Sequence, residues 1–362
     1  MPFNPLKPSV AEVNPTAEFF MQRCLQLADW GAGYTAPNPL VGALLVHENR
    51  VIGEGYHLQY GQAHAEVNCL QSVKPGDRHL IPFSTLFVSL EPCCHFGKTA
   101  PCTDLILREK IPKVVVGSRD PFPSVNGKGM EKLEARGVEV VFPVLEGLAK
   151  EKNRRFFTYH EQKRPYVILK WAESSNHHIS SLDGRVLISN NLTNRLVHKW
   201  RTEEAAILVG TQTALLDNPA LTARFWPGKN PVRVVLDQNL RLPDTLNLFD
   251  GATKSIVLNG LKEGEAGEII FKRIQKALPI DQSILTALYD LQFLSVLVEG
   301  GAHLLQTFLD AGIWDEIRII TNEDLEITAG IPSPEFRNAR LVKSIRSGTD
   351  VIRFYVPRKK RD

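Results

Sequence analysis

Short apolar runs of strand length alternate with helical stretches along about the first 145 residues, and after a polar break the alternation starts again at Pro165. Few architectures accept such a pattern. Neighbouring parallel strands need long crossovers, usually helices, and those helices then cover the sheet. The first series comprises "VGALLVH" (41–47), "STLFVSL" (84–90), "KVVVGS" (113–118) and "VEVVF" (138–142), with helical "HAEVNCLQSV" (64–73) and "CTDLILREK" (102–110) between them. A helix over "TAEFFMQRCLQLADWG" (16–31) precedes them, with Thr16 as its cap and apolar positions at Phe20, Cys24 and Leu27. The second series runs from "YVILKWA" (166–172) through "AAILVG", "VRVVLD", "KSIVLN" and "FLSVLVEGG" to "EIRIITN" (316–322). Its helices are expected at "LTNRLVHKWRTEE" and "AHLLQTFLDAG". Two α/β domains are therefore expected, over 1–150 and 165–362, with 151–164 as a connector and the basic end "RFYVPRKKRD" as a solvated tail.

Composition narrows the function. With 362 residues, 43% apolar and 23% charged, the chain suits two globular domains. No apolar run approaches the roughly 20 residues of a membrane helix, and a cytoplasmic location is expected. Five cysteines argue against a disulfide framework, and a net charge of +3, its cations interspersed with acids, announces no nucleic-acid surface.

The chemistry concentrates at "HAEV" (64–67) and "LEPCCHFGKTAPC" (90–102). A catalytic zinc site has three protein ligands and one open position, and thiolates with an imidazole suit that metal. His64, Cys93 and Cys102 supply such a set, while Glu66 is placed to carry protons beside the metal without binding it. H-x-E followed by P-C-x-x-C is the zinc-deaminase signature, in which water made acidic by the metal attacks the carbon bearing an exocyclic amine. Here eight residues, not two, separate the cysteines. Cys102 falls at the start of a helix, where the dipole favours thiolate. Cys24 and Cys69 read as core packing, Cys94 as either a spare ligand or a packed thiol. "GKT" (97–99) lacks the upstream glycine of a phosphate loop.

Together with "PNPLVGALLV" (37–46), "GEGYH" (53–57) and "DPFPSVNGKG" (120–129), this elongated cysteine loop resembles the bifunctional deaminase/reductase family of riboflavin biosynthesis. That resemblance implies a cytidine-deaminase-like three-layer α/β/α domain followed by a dihydrofolate-reductase-like α/β domain, with Zn2+ and NADPH as cofactors. It makes Cys93, directly after the Glu-Pro pair, the ligand in preference to Cys94. It also implies substrate contacts at Asn38, His57, His95, Lys98 and Asp120, although Phe122 stands where many members carry asparagine. In the second half, "AAILVGTQTALLDNPALTAR" (205–224) with "VRVVLD" and "VEGG" carries the likeness. By the same resemblance, Thr213, Asp217 and Gly301 match cofactor positions, and Arg201, Leu221, Arg224 and Glu299 match positions that hold a phosphorylated substrate. The implied partner is a small pyrimidine ribosyl phosphate, and the implied assembly a homodimer or homotetramer.

Two stretches depart from the family. Asn176 and His177 stand where Asp and Gly are expected, with "SLDG" displaced to 181–184, and Leu187, Ile188 and Ser189 replace the usual Trp-Ile-Thr. A histidine in place of glycine is expected to force that loop onto another path. These departures motivate a rival, a deaminase with a silent reductase domain. A zinc-stabilised RNA-binding or editing protein is a rival of another class.

Overall fold

A computed structural model describes residues 16–96, 100–184 and 186–358. Its contacts divide the chain into two units, one of residues 1–35 and 40–153, the other of 36–39 and 154–362.

The first unit contains, in chain order, α1 (Ala17–Asp29), β1 (Gly42–His47), β2 (Arg50–Tyr56), α2 (Ala65–Gln71), β3 (Thr85–Leu90), α3 (Cys102–Arg108), β4 (Lys113–Ser118), α4 (Lys128–Glu134), β5 (Glu139–Val141) and α5 (Glu146–Lys152). Thr16 caps α1, its hydroxyl accepting from the Phe19 amide at 3.3 Å. The sheet order is β2-β1-β3-β4-β5, with β1 antiparallel to β2 and β3, and β3, β4 and β5 parallel. Alternation along the strands sends side chains to two cores. Phe20, Met21, Cys24 and Leu27 of α1 pack with Leu44, Phe87 and Val115 on one face. Ala65, Cys69, Ile106 and Leu133 pack with Ala43, Leu45, Val88 and Val114 on the other. This is the expected three-layer arrangement, and Cys24 and Cys69 are both fully buried in it.

The second unit contains α6 (Arg154–Gln162), β6 (Tyr166–Ser174), β7 (His178–Ser181), α7 (Asn191–Glu203), β8 (Ala206–Gly210), α8 (Thr211–Asp217), β9 (Val232–Leu236), β10 (Ser255–Asn259), β11 (Gly264–Ala266) and β12 (Ile269–Arg273). It continues with α9 (Ile280–Asp290), β13 (Ser295–Val298), α10 (Ala302–Ala311), β14 (Glu316–Asn322), β15 (Gly330–Pro332), β16 (Ala339–Ser347) and β17 (Asp350–Pro357). Ten strands form one sheet in the order β11-β12-β10-β9-β8-β13-β6-β14-β17-β16, and β7 pairs with β15 separately. The neighbours β8, β13, β6 and β14 are parallel, which brings their C-terminal ends to one edge.

Three expectations change. The segment 151–164 is no plain connector: it holds the end of α5 and the whole of α6, which buries Phe156 and Phe157. The first half of the supposed C-terminal tail is strand, since Arg353–Pro357 belong to β17, paired between β14 and β16. His177 does not lose the left-handed region a glycine would reach, since it sits there itself at φ 59°. Asn176 ties this turn down, its Oδ1 accepting from the Ser174 hydroxyl (2.7 Å) and its Nδ2 donating to the Ile327 carbonyl (2.9 Å). "SLDG" lies beyond the turn, at the end of β7 and in the bend after it.

Candidate active sites

The zinc-type site is built where two helices start beside the end of a strand. Gly55 of β2 lets α2 lie close against the sheet: a Cβ there would stand 2.2 Å from the Cys69 amide nitrogen and 2.6 Å from the Ala65 carbonyl oxygen. That approach puts His64, the residue capping α2, next to the segment following β3. Cys102 opens α3. His64 Nδ1 lies 3.5 Å from Cys93 Sγ and 3.4 Å from Cys102 Sγ, and the Cys102 amide donates to Cys93 Sγ at 3.3 Å. All three donor atoms fall within 4.8 Å of one another.

Cys93 is the more acidic thiol, pushed down to about 4, first by the hydrogen bond from Cys102 and then by His64. Cys102 is pushed up by that same hydrogen bond and by burial. Glu66 is buried, and burial followed by the Cys93 charge raises its pKa. Two thiols and an imidazole, with no fourth His, Cys, Asp or Glu in the cluster among the described residues, fit a zinc ion with one open position.

Around this cluster, His57 is buried with its ring 5.5 Å from that of His64, and Ala63 O lies 3.0 Å from its Nδ1. Asp120 is buried and pushed up to about 7, chiefly by burial, while its Oδ1 accepts from the Phe122 amide at 2.7 Å. His95 is exposed with its ring 5.8 Å from that of Phe122. Asn38 belongs to 36–39, which group with the second unit, and Lys98 lies outside the described residues. Cys94 points elsewhere, its Sγ 3.6 Å from the Ser124 carbonyl oxygen.

The second site lies at the C-terminal ends of β8, β13 and β6, the edge where parallel sheets take ligands. Glu299, at the end of β13, receives a two-pronged pair from Arg201 of α7: Nε to Oε1 at 2.9 Å and Nη2 to Oε2 at 2.7 Å. Arg201 Nη1 donates to the Thr222 carbonyl at 3.1 Å. Three of its five N–H groups are thus already engaged, so Arg201 first of all holds Glu299. Burial alone would raise Glu299, but Arg201 and Lys170 outweigh it and hold the carboxyl at about 2. Leu221 is buried at φ 51°, and Arg224 is exposed, its Nη1 donating to the Thr222 hydroxyl at 3.0 Å.

Gly301 opens α10 beside α8. A Cβ on Gly301 would come within 2.9 Å of Thr213 Oγ1, so only glycine leaves this cradle open, and the amide end of α10 suits a phosphate. These features fit a nicotinamide cofactor. Asp217 closes α8 and is exposed. Leu187, in place of the family's tryptophan, is 80% exposed and buries little of its surface.

Sequence reasoning missed Lys170 and His198. Lys170 Nζ lies 3.9 Å from Glu299 Oε2, and its signal was a lone cation inside the apolar strand "YVILKWA". His198, one turn before Arg201 on α7, is buried with its ring 4.7 Å from that of Phe225. Burial, then the Arg201 and Arg224 charges, push it down to about 4.

Residues 14–118 match the model of the cytidine and deoxycytidylate deaminase zinc-binding region, and 165–322 that of the RibD C-terminal domain. The riboflavin biosynthesis protein RibD of Aquifex aeolicus is 38% identical over 349 residues, spanning 93% of this chain and 97% of the relative. This chain belongs to the RibD family. A RibD of Bacillus amyloliquefaciens is 37% identical over 83% of this chain and 82% of its own. Among solved structures, a Thermotoga maritima protein described as a diaminohydroxyphosphoribosylaminopyrimidine deaminase/5-amino-6-(5-phosphoribosylamino)uracil reductase superposes with TM-score 0.84 at 35% identity, covering 94% of this chain and 98% of that one. Acinetobacter baumannii RibD gives TM-score 0.84 at 30% identity, with 94% and 98% covered. Members with both domains favour neither the silent-reductase nor the RNA-binding rival.

Proposed function

We propose that the two sites divide consecutive steps of riboflavin biosynthesis: the first removes the ring amine of a diamino-ribosylamino-pyrimidinone phosphate, and the second reduces the ribosyl group of the product to ribityl. The observation that carries this reading is the triangle of His64, Cys93 and Cys102 with buried Glu66 beside it.

His64, Cys93 and Cys102 hold zinc, which when bound supplies Lewis acidity that makes water nucleophilic near neutral pH. Glu66 takes a proton from the attacking water and returns it to the departing nitrogen, which leaves as ammonia. Asp120, His57 and His95 orient the pyrimidine, together with Asn38 and Lys98.

In the second site, NADPH supplies a hydride. Thr213, Asp217 and the Gly301 turn would hold it, the amide end of α10 being suited to a phosphate. Arg224 grips the substrate phosphate, Arg201 and Leu221 shape its pocket, and Glu299 orients sugar hydroxyls, which an ionised carboxylate accepts well. The reading extends to a homodimer or homotetramer in the cytoplasm, resting on the family resemblance.

Glu66→Gln tests the first step. It is expected to abolish ammonia release while zinc stays bound and NADPH oxidation with the deaminated intermediate continues. Near-normal ammonia release by this variant would refute the role given to Glu66.

A further inference from the structure

Glu91 is the last residue before the Pro-Cys pair and is 4% exposed. Its carboxylate faces backbone amides of the segment that follows β4. Oε2 accepts from Asp120 N at 3.2 Å and Gly127 N at 2.9 Å. Oε1 accepts from Gly129 N at 2.9 Å and Met130 N at 3.4 Å. The Glu91 amide in turn donates to the Ser118 carbonyl at 2.9 Å. The same segment presses against the chain that carries the cysteines, since a Cβ on Gly129 would stand 2.1 Å from the Pro92 carbonyl oxygen.

We infer that Glu91 is a positioning residue for deamination, its carboxylate fastening the Asp120 loop to the segment after β3 that carries Cys93 and so fixing Asp120 relative to the metal. The inference rests on the substrate role proposed for Asp120. Four amides converging on two oxygens use the whole acceptor capacity of an ionised carboxylate, and hydrogen bonds to a charged acceptor are about twice as strong as neutral ones. Such a clamp leaves the metal ligands themselves alone. Cys93 keeps its bond from the Cys102 amide, and His64 comes from a different element. Loosening the clamp therefore moves a substrate contact without removing zinc.

A neutral amide cannot reproduce it. In either orientation glutamine points an N–H2 group at two backbone N–H donors, whereas aspartate keeps the charge one methylene short. The experiment measures ammonia release against substrate concentration for wild type, E91Q, E91D and D120A. Zinc content and NADPH oxidation with the deaminated intermediate are followed on each protein. The expected pattern for E91Q is a KM raised about tenfold or more, with kcat changed far less and zinc and reductase activity retained. E91D should fall between E91Q and wild type, and D120A should share the KM effect.

If D120A raises KM while E91Q leaves it unchanged, the positioning role is overturned and the reading of Asp120 stands. If D120A itself leaves KM unchanged, the Asp120 role fails instead, and the inference with it. If E91Q loses zinc, E91D decides: a raised KM with metal retained supports the clamp, and an unchanged KM or a fall in kcat alone overturns it.

Discussion

Glu299 carries a negative charge where there is almost no water, its side chain only 7% exposed. It is tolerable there because Arg201 meets both oxygens. Removing one partner of a buried pair costs about 3–5 kcal/mol, most of it from the charge left behind. Glu299→Gln is therefore expected to destabilise the second unit by that order. The sign with pH follows from a carboxyl held at about 2 against an ordinary 4.5. The stabilisation is fully present above pH 4.5 and is lost as pH falls towards 2. Urea unfolding of wild type and E299Q should thus differ most above pH 5 and converge in acid, and a difference that grew in acid would contradict the pairing. His64, Glu66 and Cys102 are legible in the residue pattern, because donor type and the H-x-E spacing are themselves the signal, whereas the choice of Cys93 over Cys94 rests on the family resemblance. Glu91 and His198 are not. A carboxylate bound to backbone amides, or an imidazole packed edge-on against a phenyl ring 27 residues away, leaves no pattern in the residues on either side.

At the scale of elements, the active-site geometry rests on how closely α2 lies on β2. Gly55→Ala puts a methyl group into the Cys69 amide and the Ala65 carbonyl, which cannot both yield while α2 stays in place. The helix carrying Glu66 and capped by His64 must lift, and the variant is expected to bind zinc weakly and release little ammonia. Gly76→Ala, with nothing within 4 Å of the added carbon, is the matched control and should behave as wild type. Zinc content after dialysis checks both, and a G55A protein with full zinc would show that the packing is not needed. Elements with strong periodicity, α1 and the apolar strands β1, β3 and β4, are readable from sequence. α6 and β17 are not, because "NRRFFTYHEQ" sets its apolar side chains among charges and "RFYVP" runs straight into the basic "RKKRD". Arg155 of α6 shows why: it pairs with the buried Glu204 through Nε at 2.7 Å, so a residue that reads as a solvated charge is a core contact.

On the scale of the whole molecule, the first unit carries the His64, Cys93 and Cys102 triangle and the second the Arg201–Glu299 pair and the Gly301 turn, and the departures at 176–177 and 187–189 fall only in the second. In sequence that half looks compromised, since histidine stands in the place of a glycine. His177 nevertheless sits in the left-handed region, and Asn176 satisfies the backbone around it. Both halves are therefore expected to turn over. The most direct test is NADPH oxidation by the purified chain supplied with the already deaminated phosphoribosyl intermediate, with ammonia release from the diamino substrate followed in parallel. NADPH should be consumed in proportion to ribityl product, alongside ammonia from the first site. Ammonia without NADPH consumption would contradict this and leave a deaminase with a silent second unit.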